Sequence, residues 1–134
     1  MKIYCDGSNF VGRGSGAGFL VIHDGGGKER FMLELPQDAT NNEAEYLAVI
    51  HALRYISQGS GTGVVEVLSD SEVVVKQVNG EYKVREDRLK PLHSEALTLM
   101  AGITATLRHV RREQNPEADQ LARLGSLFSM ARED

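Results

Sequence analysis

The feature that most constrains this chain is a change of hydrophobic period near residue 40. Before it, apolar and polar side chains alternate in twos, as on a half-buried strand. After it, apolar residues recur at three and four, as on the buried face of a helix. In residues 2–6, Lys2 and Tyr4 point one way and Ile3 and Cys5 the other. Residues 17–23 are apolar, and Phe31, Leu33 and Leu35 then alternate with Arg30, Met32 and Glu34. Glycines at 12–18, 25–27 and 59–63 read as turns, so the first three strands are expected to form an antiparallel meander.

Thr40-Asn41-Asn42-Glu43 has the form of a capping box and opens a helix over 40–57, which Gly59 ends. Residues 64–68 make a strand, and Ser69-Asp70-Ser71 supplies an N-cap for a short helix to about Asn79. Residues 88–101 are helical around Leu89, Leu92, Ala96, Leu97 and Met100, and 104–111 form the last strand. Pro116 suits the first turn of a final helix over 115–130. Three strands, a helix, a strand, two helices, a strand and a helix predict a mixed sheet with packed helices. The expectation is one α/β domain over residues 1–134.

Composition narrows the class further. At 41% apolar and 25% charged residues, 134 residues can bury a core without staples. The single Cys excludes a disulfide within the chain and a Cys-rich zinc site, and suits a reducing, cytoplasmic setting. No apolar run approaches the roughly 18 residues of a membrane span, and no secretory signal is visible, so no membrane is expected. No apolar stripe is left over for a partner, which favours a monomer, and the polar end Arg132-Glu133-Asp134 is expected to fray. A net charge of −4 argues against nucleic-acid binding through bulk positive charge, though not against a local basic path.

Four carboxylates stand in unusual places. Asp6 closes the first strand before Gly7-Ser8, where a turn residue would also be ordinary. Glu45 shares a helical stripe with Ala48, Val49, Ala52 and Ile56, so the sheet-facing side is apolar except for this acid. Either it is buried, at a cost of several kcal/mol unless paired or metal-bound, or the helix start projects into water and favours it through the macrodipole. Asp70 ends the fourth strand, where a helix cap is the plain alternative to a ligand site at a strand's carboxyl end. Asp119 lies one turn inside the last helix, a mildly unfavourable place for Asp unless it is solvated or used. Spacing in the sequence does not by itself bring the four together. Gathered, they would raise one another's pKa values, and their oxygens would select hard divalent ions. Two such ions about 4 Å apart activate a water and stabilise the leaving oxygen in phosphodiester cleavage.

At these positions the chain resembles a type 1 ribonuclease H. The resemblance rests on Tyr4-Cys5-Asp6-Gly7-Ser8, Thr40-Asn41-Asn42-Glu43-Ala44-Glu45-Tyr46, Ser69-Asp70-Ser71-Glu72 and the run from Arg111 to Ala122. Asn79-Gly80-Glu81-Tyr82-Lys83-Val84 is similar to the compact, archaeal-like branch, which lacks a basic protrusion. The resemblance implies a five-stranded mixed sheet, order 3-2-1-4-5, with helices on both faces. It implies endonucleolytic cleavage of the RNA strand of RNA·DNA hybrids, leaving 5′-phosphate and 3′-hydroxyl ends. Asp6, Glu45, Asp70 and Asp119 would hold two Mg²⁺ ions, with Mn²⁺ able to substitute. One ion would orient the attacking water and the other offset charge on the leaving oxygen.

Other roles follow from the same resemblance. His109, ten residues before Asp119, matches a mobile family His that aids turnover, and Arg112 is the alternative, as a phosphate-binding cation. Thr40, Asn41 and Asn42 match the segment that touches the hybrid, in the groove where 2′-hydroxyls distinguish RNA from DNA. A helix cap alone is their plain reading. The amides of Gly7 and Ser8, with Ser71 and Glu72, would face the RNA backbone. The chain departs from the family at 11–15, where Val11-Gly12-Arg13-Gly14-Ser15 replaces a longer loop and Arg13 stands in as a phosphate contact. Between the middle helices only Lys83, Arg85, Arg88 and Lys90 interleave with Glu86 and Asp87, which predicts weak, salt-sensitive binding. Two other readings remain: a metal-dependent nuclease of different specificity, and a hybrid-binding module without catalysis.

Overall fold

The computed structural model describes residues 1–10, 13–59 and 63–132. Its elements are β1 (Lys2–Asn9), β2 (Ser15–Ile22), β3 (Lys28–Leu35), α1 (Asn41–Gln58), β4 (Val65–Ser69), α2 (Glu72–Val78), α3 (Lys90–Ala101), β5 (Ala105–His109), a 3-10 turn (Arg112–Gln114) and α4 (Pro116–Ala131). The sheet order is β3-β2-β1-β4-β5. β1, β2 and β3 pair antiparallel as the sequence predicts, and β4 joins β1 and β5 in parallel, in the strand order the resemblance implies.

Each face of the sheet receives its own helical layer because successive side chains point opposite ways. Ile3, Cys5, Ala17, Phe19 and Val21 form one core with Ala44, Ala48, Val49 and Ala52 of α1. Each large apolar side chain buried there contributes roughly 1.5–3 kcal/mol. The opposite face is thin: a Cβ at Gly16 would lie 2.3 Å from the Ser126 nitrogen, and one at Gly18 would lie 2.4 Å from Leu121 Cβ. α4 therefore rests almost on the backbone of β2. Its buried serines satisfy strand carbonyls, Ser126 Oγ donating to Ser8 O at 3.2 Å and Ser129 Oγ to Leu35 O at 2.8 Å.

Several expectations are corrected. β1 does not stop at Asp6 but runs on to Asn9, because β2 goes on pairing with it, Gly7 opposite Ala17 and Asn9 opposite Ser15. Gly16 and Gly18 are strand residues that admit α4, not turn residues. α3 begins at Lys90, and the last strand ends at His109, where Val110 N–H donates to Ser69 O at 2.9 Å and the 3-10 turn follows. An apolar strip is in fact left over on α4, where Leu124, Leu127 and Phe128 are exposed. Of the expected frayed end, Arg132 is tied to Glu34 at 2.7 Å. Glu133 and Asp134 lie outside the described residues, as do Val11 and Gly12 of the 11–15 loop and residues 60–62 of the 59–63 turn. No described helix is long and apolar enough to cross a membrane.

Candidate active site

The parallel ladder between β1 and β4 ends with Cys5 opposite Ser69. The next residues are Asp6 and Asp70, so two acids sit side by side where neighbouring parallel strands part. That is where an open α/β sheet leaves a crevice. Glu45 is delivered from above by α1. Thr40 caps this helix as predicted, its Oγ1 accepting from Glu43 N at 3.2 Å while Glu43 Oε1 accepts from Thr40 N at 2.8 Å. The helix lies so close to β1 that a Cβ at Gly7 would be 2.3 Å from the Ala44 carbonyl carbon. This close approach lets Gly7 N–H donate to Glu45 Oε1 at 2.6 Å.

Oxygens of Asp6, Glu45 and Asp70 consequently lie within 4.8 Å of one another. Asp6 is 5% exposed and Glu45 9%, which resolves the alternative left open for Glu45: it is buried. Burial first, and then the charges of Glu45 and Asp70, drive the Asp6 carboxyl well above the usual carboxylate range. Burial also raises Glu45, opposed by hydrogen bonds from Asp6 and the Gly7 amide and by the positive charge of Arg112. Without a cation, then, both carboxyls are pushed toward their neutral forms. Asp70 Oδ2 is buried with no hydrogen-bond partner among the described residues. An orphaned carboxylate oxygen beside two mutually repelling acids fits a hard divalent cation, which would satisfy the one and neutralise the others.

Asp119 borders this trio. Its carboxyl is within hydrogen-bonding reach of Asp6 and helps to raise it, while its Oδ2 lies 3.1 Å from Arg123 Nε. Its backbone N–H donates to Asn115 O at 3.2 Å. Asn115 itself is 1% exposed, and its Nδ2 donates to Cys5 O at 2.9 Å. The sequence hides this residue, because it shows only an Asn at the start of the helix that Pro116 opens. Here its side chain makes no capping bond.

The remaining candidates are spread around the crevice. His109 ends β5 opposite Ser69 and is exposed. Arg112, in the 3-10 turn, is exposed too, and its charge favours ionised Glu45. Asn41 is exposed and Asn42 half-buried at the start of α1. Arg88 reaches across to this segment, 2.8 Å from Glu43 Oε1 and 3.4 Å from Asp38 O, a link that no sequence pattern announces. Arg13 is exposed. Gly7's N–H is taken by Glu45, and Ser8 O accepts from Ser15 and Ser126. Ser71 caps α2 by accepting from Val74 N at 3.3 Å, and Glu72 lies 3.9 Å from Lys76. A cavity of ≈ 930 Å³ lined by Met1, His23, Tyr55, Val65 and Ile103 lies elsewhere, at the opposite end of the sheet, and touches none of the four acids.

Comparison with known proteins agrees with this geometry. The model of a family described as reverse transcriptase-like matches residues 4–125. The chain is 32% identical to ribonuclease HI of Halobacterium salinarum over 89% of its own length and 60% of that protein. It spans 57% and 60% of the length of the curated relatives it matches. The crystal structure of RNase H1 from Halobacterium salinarum aligns with a TM-score of 0.83 at 30% identity, covering 92% of this chain and 95% of that one. LC11-RNase H1, solved in complex with an RNA/DNA hybrid, aligns with a TM-score of 0.87 at 28% identity, covering 96% and 98%.

Proposed function

The chain belongs to the ribonuclease H family, and from that premise we propose that it hydrolyses the RNA strand of RNA·DNA hybrids in a Mg²⁺-dependent reaction, leaving 5′-phosphate and 3′-hydroxyl ends. One observation carries the reading: three acids from separate elements meet within 4.8 Å, and one of their oxygens is buried without a partner. Asp6, Glu45 and Asp70, with Asp119 at the border, would hold the cations, which would supply water activation and charge stabilisation at the leaving oxygen.

The chain's own residues do the rest. Asp6 and Glu45 would hold a cation in their charged forms, which burial opposes and a cation would favour. The Gly7 amide holds Glu45 Oε1 and fixes that carboxylate against β1. Arg112, beside Glu45, meets an entering phosphate, and Arg13 offers a second contact at the rim. Asn41 and Asn42 stand one turn before Glu45, where a hybrid seated on the acids would present its minor groove and 2′-hydroxyls. His109, at the rim, assists proton movement or product departure. Residues 1–134 serve as one domain, and its one thiol, buried at Cys5, suits a reducing cytoplasm.

The test is cleavage of a 5′-labelled RNA strand annealed to DNA, at low salt, in Mg²⁺ and in EDTA, beside single-stranded and duplex controls. Internal cuts confined to the hybrid, lost in EDTA and abolished by Asp70→Asn with binding retained, are the expected result. Cuts only from one end would indicate an exonuclease. Hybrid binding by folded protein that never cuts in Mg²⁺ or Mn²⁺ would indicate a binding module.

A further inference from the structure

Asn115 is fully buried with only half of its amide satisfied: Nδ2 donates to Cys5 O at 2.9 Å, and Oδ1 has no partner among the described residues. An unpaired buried acceptor costs about 1–3 kcal/mol; an apolar side chain of similar volume would avoid that cost but strand Cys5 O in its place. The amide therefore brings little net stability here. What the amide does is geometric. It donates to Cys5 O at the point where the β1–β4 ladder runs out, one residue before Asp6. Its own backbone carbonyl accepts the N–H of Asp119 at 3.2 Å. One residue thus holds the strand that bears Asp6 and the helical turn that bears Asp119.

We propose that Asn115 is a positioning residue that sets the separation of the Asp6 and Asp119 carboxylates and thereby the cation affinity of the site. The inference rests on reading the acids as a divalent-metal site, and it assigns the residue no contact with substrate. The bond it makes to a strand carbonyl acts at one remove from the carboxylates. Losing such a support typically costs about 10–100-fold in metal affinity.

The experiment compares wild type with Asn115→Ala and Asn115→Leu by thermal unfolding across a Mg²⁺ and a Mn²⁺ titration, with hybrid cleavage run at each concentration. Asn115→Leu leaves no cavity, and deleting the unpaired oxygen offsets the stranding of Cys5 O, so it stays folded even if the alanine variant does not. Both variants are expected to need about 10–100-fold more cation for half-maximal stabilisation. Cleavage should shift in parallel, with KM for the hybrid unchanged at saturating cation. A Leu variant as stable as wild type in EDTA, yet with a raised cation midpoint, separates positioning from mere structural support. Midpoints within twofold of wild type in the folded variants would overturn the inference alone. Absence of any cation-dependent stabilisation in wild type would overturn the metal reading and the inference with it.

Discussion

The Gly7 amide donates to Glu45 Oε1 at 2.6 Å, across a strand–helix contact in which a single added Cβ would lie 2.3 Å from the Ala44 carbonyl carbon. Backbone packing and the placement of an acid are one feature here. Only a residue without a side chain lets α1 descend far enough for Glu45 to reach Asp6 and Asp70.

Gly7→Ala should accordingly damage fold and site together. The clash is with helix backbone, which cannot swing aside, so a loss of about 3 kcal/mol is expected, near the upper end for overpacking. Urea unfolding measures the loss. The cation midpoint of the folded fraction should rise with it.

The carboxylate trio should make the cation-free protein sensitive to pH. Asp6 and Glu45 are raised in the folded state, so above the ordinary carboxylate range the folded protein binds more protons than the unfolded chain. Stability contributed by these groups is complete below that range and falls as pH rises, by at most about 1.4 kcal/mol per pH unit and group. In EDTA, Asp6→Asn should flatten the fall in Tm between pH 5 and pH 8. The same variant should be the more stable protein at pH 8. Mg²⁺ should raise the Tm of wild type and not that of the variant, and a wild-type Tm indifferent to pH would contradict the account.

Tyr46→Phe serves as a core control. Tyr46 is fully buried and its hydroxyl donates to Gln77 Oε1 at 2.6 Å. Its loss strands a buried acceptor and should cost about 1–2 kcal/mol in urea unfolding. The cation midpoint should not move, since the lost bond runs to Gln77 and to none of the acids.

Arg112 and His109 can be told apart by salt. If Arg112 meets a phosphate, Arg112→Ala should weaken hybrid binding and reduce the slope of log affinity against log salt by about 1. His109→Ala should leave that slope unchanged and act on kcat. Identical slopes for wild type and Arg112→Ala would remove the arginine from the binding surface.

Much of this was legible in the residues themselves. Hydrophobic periods predicted the element order, because strands and helices bury different repeats. Thr40 and Glu43 predicted the helix start, because a capping box is a local bond pattern. The stripe of Glu45, Ala48, Val49 and Ala52 identified the sheet-facing side of α1, although only the fold showed that its acid is buried. The four acids stood out by position, and the resemblance then supplied the sheet order and their joining into one site, which spacing alone could not.

Tertiary structure decided what depends on contacts between distant segments. Glycine serves both turns and close approaches, so Gly16 and Gly18 could be told from turn residues only once α4 lay against them. Asp119 proved to border the trio, divided between Asp6 and Arg123, because the distance from a helix to a strand end is set by packing on both. Asn115, which the sequence placed only at the start of the last helix, is a tie to Cys5, a bond across 110 positions of chain. Local periodicity determines which elements form and which faces they bury, since those forces act within a few residues. The separation of carboxylates is set by how closely whole elements settle, and no short stretch of sequence contains that distance.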